Sequence, residues 1–257
     1  MKLISVNIEK DRHLERVIPF LKKEHPDVIC LQEVFESDCV DIARSFSMHA
    51  EYVPITIVPR HTPRDNRTEE SMGIAILSVA PLTNVQRSFY RGNAGRVESL
   101  DMSTKERHLE TMKGCLLSAD VPAGNTIIPI ATTHFTWSAD GKMTEPQKED
   151  AEKLLQILSR MPGVVLCGDF NIPRGINALY EKFAARYKDA IPASYTSSID
   201  VNIHRAGTIP GERAKLERYM VDYLFLSSGY VADNVRLVCG VSDHCAIVAD
   251  IGTVKDS

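Results

Sequence analysis

The chain has 257 residues, 44% of them hydrophobic and 25% charged, with a formal net charge of −4 at neutral pH. That length fits one large domain or two small ones and can bury a substantial core, and the composition is ordinary for a soluble globular protein. The slight acidity gives no global pull toward polyanions and still permits a local basic groove.

Leu3–Val6 and Val28–Leu31 are predicted strands. Between them Leu14, Val17, Ile18 and Leu21 repeat as one apolar helical face. Pro19 inside this segment is expected to kink or interrupt the helix, and Pro26 marks its exit. A weaker helical segment follows over residues 38–48. Residues 59–71 are polar and turn-rich, an expected exposed loop, and Ile74–Val79 is a predicted strand. Residues 84–113 show no clear period. Cys115–Val121 and Thr126–Thr133, split by Pro122-Ala123-Gly124-Asn125, predict a hairpin.

Thr144-Glu145-Pro146-Gln147 predicts a capping-box start for a helix that buries Ala151, Leu154, Leu155 and Leu158. Val164–Cys167, bounded by Gly163 and Gly168, reads as a short buried strand. A helix near residues 175–187 and a long polar loop over 192–217 follow, then strands at Val221–Leu226, Val235–Cys239 and Ala246–Ile251. No repeat, low-complexity tract or linker divides the chain. The expectation is one domain over residues 1–257, a layered α/β sandwich.

Cys30, Cys39, Cys115, Cys167, Cys239 and Cys245 form no C-x-x-C pair, and three of them lie in apolar runs. Reduced thiols in a cytoplasmic protein are therefore expected. The opening Met1-Lys2-Leu3-Ile4-Ser5-Val6-Asn7 turns polar too early for a signal peptide. No apolar stretch approaches the roughly 20 residues that span a bilayer.

One arrangement recurs along the chain: an apolar strand with a polar group at its end. Asn7, Gln32-Glu33, His134, Asp169 with Asn171, Asp222 and Ser242-Asp243-His244 all stand in such places. Asp169 and Asn171, two residues apart, can aim at one point. Singly, each is a turn, cap or solvated residue. Together their carboxylate, carboxamide and imidazole groups suit a hard cation such as Mg²⁺ or Mn²⁺, and the lack of paired cysteines argues against structural zinc.

Asn7-Ile8-Glu9, Leu31-Gln32-Glu33-Val34, Met72-Gly73-Ile74-Ala75-Ile76-Leu77-Ser78, Thr133-His134-Phe135, Gly168-Asp169-Phe170-Asn171, Val221-Asp222-Tyr223 and Ser242-Asp243-His244 resemble, in order, the motifs of the endonuclease/exonuclease/phosphatase superfamily. The resemblance runs from residue 7 to residue 244. It implies a four-layer α/β sandwich, two packed and mostly antiparallel sheets flanked by helices, with the site at one edge. It also implies a phosphoester hydrolase dependent on Mg²⁺ or Mn²⁺. By motif, Glu33 is the principal metal ligand, completed by Asn7 and, through water, Asp243, with Glu9 behind them. Asp169 holds or deprotonates the attacking water, Asn171 orients that water or a phosphate oxygen, and His134 donates to the phosphoryl group. His244, oriented by Asp222, contacts the phosphate or acts as a base. In-line phosphoryl transfer requires these roles. Between Asp169 and His244 as the base, the reading favours Asp169.

The substrate is less legible, since this superfamily includes nucleases, deadenylases, protein–DNA phosphodiesterases, sphingomyelinases and inositol phosphatases. The segment Arg218-Tyr219-Met220-Val221-Asp222-Tyr223 departs both from the Trp-Cys-Asp-Arg of inositol phosphatases and from the Trp-Arg-Leu-Asp-Tyr of abasic endonucleases. Arg205 and Arg218 are candidate substrate contacts, but acidic neighbours make a solvated mixed-charge loop the stronger reading. Trp137, the only tryptophan, can stack on a base or pack the site wall. The favoured reading is a phosphodiesterase or nuclease acting on DNA, RNA or a nucleotide-type ester. A lipid-headgroup, sphingomyelinase-like phosphodiesterase or a small-molecule phosphatase comes second, and a non-catalytic binding module last. No protein partner can be inferred.

Overall fold

The computed structural model describes residues 1–254. The first half of the chain runs β1 (Lys2–Asn7), α1 (Leu14–Glu24), β2 (Val28–Phe35), α2 (Glu36–Ser45), β3 (His49–Arg64), β4 (Arg67–Ser78), β5 (Thr83–Arg91), α3 (Lys105–Thr111) and β6 (Gly114–Ala123). The second half runs β7 (Thr126–His134), α4 (Glu145–Leu158), β8 (Val165–Asp169), α5 (Leu179–Ala184), β9 (Lys188–Asp189), α6 (Glu212–Leu216), β10 (Asp222–Leu226), β11 (Tyr230–Val238) and β12 (Ala246–Thr253).

These strands form two six-stranded sheets, ordered β11-β12-β1-β2-β4-β3 and β5-β6-β7-β8-β10-β9. Each sheet contains one parallel pair, β1 with β2 and β7 with β8, and is otherwise antiparallel. Strand parity sorts the core into layers. Val28 and Cys30 of β2 join the large cluster between the sheets, whereas Ile29 and Leu31 pack with Val17 and Leu21 of α1 and Ile42 of α2. On the far side of the second sheet, α4 contributes Ala151, Leu154, Leu155 and Leu158, and α5 contributes Leu179 and Phe183. The expected α/β sandwich is the one formed. Among the described residues, no helix is long and apolar enough to cross a membrane.

Parity also brings polar groups between the sheets. Gln32 follows Val28 and Cys30 at intervals of two, so it faces the second sheet and donates to Thr132 of β7 over 2.9 Å. Asn7 follows Leu3 and Ser5 in the same way, and Asp169 follows Val165 and Cys167.

Several expectations need correction. Residues 59–71 are two strand arms, because Asp65 and Asn66, with φ of 51° and 62°, form a two-residue turn between paired Arg64 and Arg67. Buried ionic contacts hold these polar arms: Arg60 reaches Asp38 at 2.9 Å and also Glu70, and Asp11 accepts the N–H groups of His61 and Thr62. Pro19 does not interrupt α1. It is exposed, so the carbonyl left without its helical donor faces water, while Val17 and Leu21 keep the helix on the sheet. The region without clear period contains β5 and α3, and the helix expected near 175–187 shortens to α5. Only half of the capping box forms: Thr144 accepts from the Gln147 N–H, but the Gln147 side chain donates instead to the carbonyls of Thr136 and Asn171.

The thiol expectation is also corrected. Cys239 and Cys245 are joined by a disulfide across the turn between β11 and β12, where strand pairing brings their Cα atoms to 4.1 Å. Cys30, Cys39, Cys115 and Cys167 are free and buried. With one pair oxidised, the cysteines do not indicate a reducing compartment.

Candidate active site

Both parallel pairs run with their C-terminal ends toward the same edge of the sandwich. Asn7 lies opposite Gln32 at the end of β1 and β2, and His134 lies opposite Asp169 at the end of β7 and β8. A cavity of about 490 Å³ opens at this edge, lined by Asn7, Glu9, Lys10, Glu33, His134, Asp169, Asn171, Asp243 and His244 among others. A second cleft, of about 670 Å³ at the opposite strand ends, offers Asp27 as its only carboxylate among the described residues.

Local irregularities aim the side chains. In a regular strand Glu33 would alternate away from Gln32, toward the helices. Instead β2 is irregular here: Gln32 pairs with Ile74 and Val34 with Gly73, leaving Glu33 as an extra residue with φ of 51°. Gly73 takes no side chain, because a Cβ there would meet the Val53 carbonyl oxygen at 2.0 Å. Gly168 has a similar role in β8, where φ is 137° and a Cβ would meet the Thr133 oxygen at 2.1 Å. Beneath the site, Phe135, Phe170 and Phe225 pack as an aromatic floor, with centroids of Phe170 and Phe225 5.3 Å apart.

Asp169 is the centre of the polar contacts. Asn7 Nδ2 donates to its Oδ2 at 3.1 Å, His134 Nε2 lies at 3.5 Å and His244 Nε2 at 3.8 Å from the same oxygen. The backbone N–H of Asn171, itself at φ of 53°, donates to Asp169 Oδ1 at 2.9 Å. Asn171 Nδ2 donates to the Phe135 carbonyl, so one turn fastens the other. His244 Nδ1 lies 2.8 Å from Asp222, which sits behind it.

A second group of acids stands beside this one. Glu33 Oε1 lies 3.4 Å from Asn7 Nδ2 and 3.9 Å from His134 Nε2, and Lys10 Nζ approaches Glu33 Oε2 at 3.1 Å. Asp243 groups with Glu9 and His13, whose ligand atoms all lie within 4.8 Å of one another. The carboxylates of Glu9, Glu33 and Asp243 with the Asn7 amide make an oxygen-rich donor set of the kind hard divalent cations take.

Burial and charge set the protonation states. Burial raises Glu33, but Lys10, His134 and His244 outweigh it and bring the carboxyl down to about 2. Burial lifts Asp243 to about 6, with Glu9 and Glu33 adding to the rise. Burial also raises Asp169, against the pull of His244. For His244 burial opposes the charged ring, yet Asp222 and then Asp169 prevail and raise it well above the ordinary histidine value. Mutually repelling buried acids with few fixed cations fit a divalent ion.

The sequence candidates Asn7, Glu33, His134, Asp169, Asn171, Asp243 and His244 meet in this cavity, with Asp222 directly behind. Trp137 and Arg205 line its wall; Arg218 is exposed and does not. Lys10, His13 and Ser198 went unread. Ser198 Oγ accepts from Val221 and Asp222 N–H at 3.1 and 3.0 Å, and its carbonyl accepts from Cys245 N–H at 2.7 Å. Asp200 extends this tie, donating its N–H to the Asp243 carbonyl and accepting from Gly240. The segment lies in the stretch read as a long polar loop. Its sequence signal is the alternation of Ile199, Val201 and Ile203 with polar residues, but the chain turns after a single bridge of Ile199 to His244.

Solved structures share this fold. One is the endonuclease/exonuclease/phosphatase from Beutenbergia cavernae, 15% identical, with 98% of this chain and 71% of that chain covered and a TM-score of 0.69. Another is D. rerio TDP2 complexed with single strand DNA product, 18% identical, covering 98% and 99%, with a TM-score of 0.66. A third is a variant of the 3′ phosphatase NExo from Neisseria bound to a product DNA hairpin, 14% identical, covering 98% and 99%, with a TM-score of 0.63. No curated protein sequence matches the chain. The model of the Endonuclease/Exonuclease/phosphatase family matches residues 4–244, which span every motif residue in the cavity. The chain belongs to the endonuclease/exonuclease/phosphatase family, whose members are phosphoesterases.

Proposed function

We propose that residues 1–257 form one catalytic domain that hydrolyses phosphodiesters of the nucleic-acid or nucleotide type, with Mg²⁺ or Mn²⁺ as cofactor. The observation that carries this reading is the surrounding of the Asp169 carboxylate by Asn7, His134 and His244 at 3.1, 3.5 and 3.8 Å. TDP2 and NExo, similar in fold, were solved with product DNA, which supports a nucleic-acid or nucleotide phosphoester.

Glu33, with Asn7 and Asp243, would hold the metal, and Glu9 stands close enough to share it. When bound, the ion supplies charge neutralisation on the phosphoryl oxygens. The protein's own groups do the remaining work. Asp169, raised by burial, accepts the proton of the attacking water, and Asn7 and the Asn171 N–H fix its two oxygens. His244, held charged by Asp222, donates to a phosphoryl oxygen rather than taking the proton. His134 donates from the other side. Asn171 keeps one side-chain N–H for the water or a phosphate oxygen, the other being given to Phe135.

The test is a panel of single- and double-stranded DNA, abasic DNA, RNA, 5′-tyrosyl DNA, sphingomyelin and an aryl phosphodiester, each with Mg²⁺, Mn²⁺ or chelator. Metal-dependent cleavage of a nucleic-acid or nucleotide-type ester is expected. Cleavage of sphingomyelin alone supports the lipid reading. No hydrolysis by folded protein contradicts the enzyme.

A further inference from the structure

The wall of the cavity differs from its floor. Trp137, three residues beyond His134, is 52% exposed and is the only exposed aromatic side chain among the described residues. The His108 ring of α3 stands edge-on to it, with centroids 6.3 Å apart and planes at 76°. Leu100, Met102 and Met112 line the same cavity. An indole left half in water, braced by a second ring and bordered by thioethers, is a surface on which a flat ring stacks.

The charges limit what else enters. Among the described residues, Lys10 and Arg205 are the only Lys or Arg side chains lining the cavity, beside six carboxylates, and Lys10 is bonded to Glu33. Outside it, Arg107 is paired with Asp101 and Glu110, Arg213 with Glu217, and Lys215 with Asp140 and Glu212. The exposed Arg96, Lys105, Lys142 and Arg218 form no ion pair among the described residues but do not line the cavity. A long polyanion needs several uncommitted cations along its track. A cavity of about 490 Å³ suits a ligand the size of one nucleotide.

We propose that Trp137, with His108 beside it, is the specificity wall for one flat aromatic or heteroaromatic ring on a small ester bearing a single phosphate. This rests on the phosphoesterase reading and narrows its substrate class. Nucleobases and phenols share the required chemistry.

Because Trp137 is the only tryptophan, its fluorescence reports directly on the wall. The protein with Mg²⁺ is titrated with a nucleoside monophosphate, phenyl phosphate, glycerol phosphate and inorganic phosphate. Saturable quenching is expected with the first two and none with the last two, and the stronger of the two quenchers identifies the ring as nucleobase or phenol. In kinetics, Trp137→Ala is expected to raise KM for a dinucleotide about tenfold with kcat little changed, while Trp137→Phe restores most of the loss. The per-bond kcat/KM for a 20-nucleotide strand is expected to stay within a few-fold of the dinucleotide value. Quenching by glycerol phosphate equal to that by the nucleotide overturns the wall. So does an unchanged KM in a folded Trp137→Ala protein, or a steep gain with strand length accompanied by a salt slope of several phosphates. Hydrolysis without ring preference or ring-dependent quenching removes the wall and leaves the phosphoesterase reading standing. Ring-dependent quenching without hydrolysis of any ester does the reverse.

Discussion

Asn7 Nδ2 donates to Asp169 Oδ2 over 3.1 Å, a contact between residues 162 positions apart in the chain. It ties the end of β1 in one sheet to the end of β8 in the other. The same carboxamide lies 3.4 Å from Glu33, and its oxygen accepts the Glu9 N–H at 3.1 Å. One buried side chain thus sets the spacing between the metal-suited acids and the carboxylate proposed to take the water's proton. Asn7→Ala is expected to lower kcat by about 10- to 100-fold and to weaken Mg²⁺ binding by a similar factor. Steady-state rates and calorimetric Mg²⁺ titration check this; wild-type values for both would remove Asn7 from the site.

Ser198 fastens the Asp222 and His244 segments to each other. Replacing it with alanine leaves the Val221 and Asp222 N–H groups buried without their acceptor, at about 1–3 kcal/mol each. Ser198→Ala is expected to shift the urea midpoint downward and to reduce kcat more than it raises KM. Ser198→Thr, which keeps the hydroxyl, is expected to recover part of both.

The protonation states predict a pH dependence. Asp243 in the folded protein sits at about 6, above the unfolded value of about 3.9, so the fold holds a proton that the unfolded chain releases. Its contribution to stability is complete below the unfolded value and is lost as pH rises through about 6. His244 acts in the same direction: its contribution is complete below about 6.5 and lost as pH rises through its higher folded value. Glu33 is opposite, losing its contribution only as pH falls toward about 2. Between about pH 5 and pH 7.5 the metal-free protein is therefore expected to lose stability, whereas Mg²⁺, which binds the ionised acids, gains affinity. Melting curves with and without Mg²⁺ check this. A Mg²⁺-induced rise in Tm that does not grow with pH contradicts it.

The Cys239–Cys245 bond closes the turn that carries Asp243 and His244. Cys239 is exposed and Cys245 buried, so a thiol reagent reaches one sulfur. Reduction is expected to lower Tm by a few degrees and kcat by several-fold. The Cys239→Ser/Cys245→Ser double variant should reproduce both effects and no longer respond to dithiothreitol. Strand pairing and Asp200 also hold this turn, so the loss should be partial; unchanged kcat after full reduction contradicts the prediction.

Much of the site was legible because strand parity and strand ends leave a pattern in the sequence. Asn7, His134, Asp169 and His244 each follow or adjoin an apolar run, and the structure brings them to one edge. The hairpin arms around residues 59–71 were not legible. Most of their side chains are exposed, as composition indicates. The strands form because two of the polar groups, Arg60 and Glu70, are buried, with Arg60 ion-paired to both Glu70 and Asp38, which composition alone cannot tell from a solvated loop. The disulfide was hidden for a similar reason: Cys239 and Cys245 meet only because β11 and β12 pair. Lys10 and Ser198 lack motif character, and their roles exist only once the fold sets them against Glu33 and Asp222.

The most direct test is hydrolysis of an aryl phosphodiester and of a dinucleotide by wild type and by Glu33→Ala, Asp169→Ala and His244→Ala, with saturating Mg²⁺ and with chelator. The expected result is metal-dependent turnover in the wild type and near-complete loss in each variant, with circular dichroism unchanged. Near-wild-type turnover in a folded Asp169→Ala protein, or equal turnover with and without metal, would contradict the account.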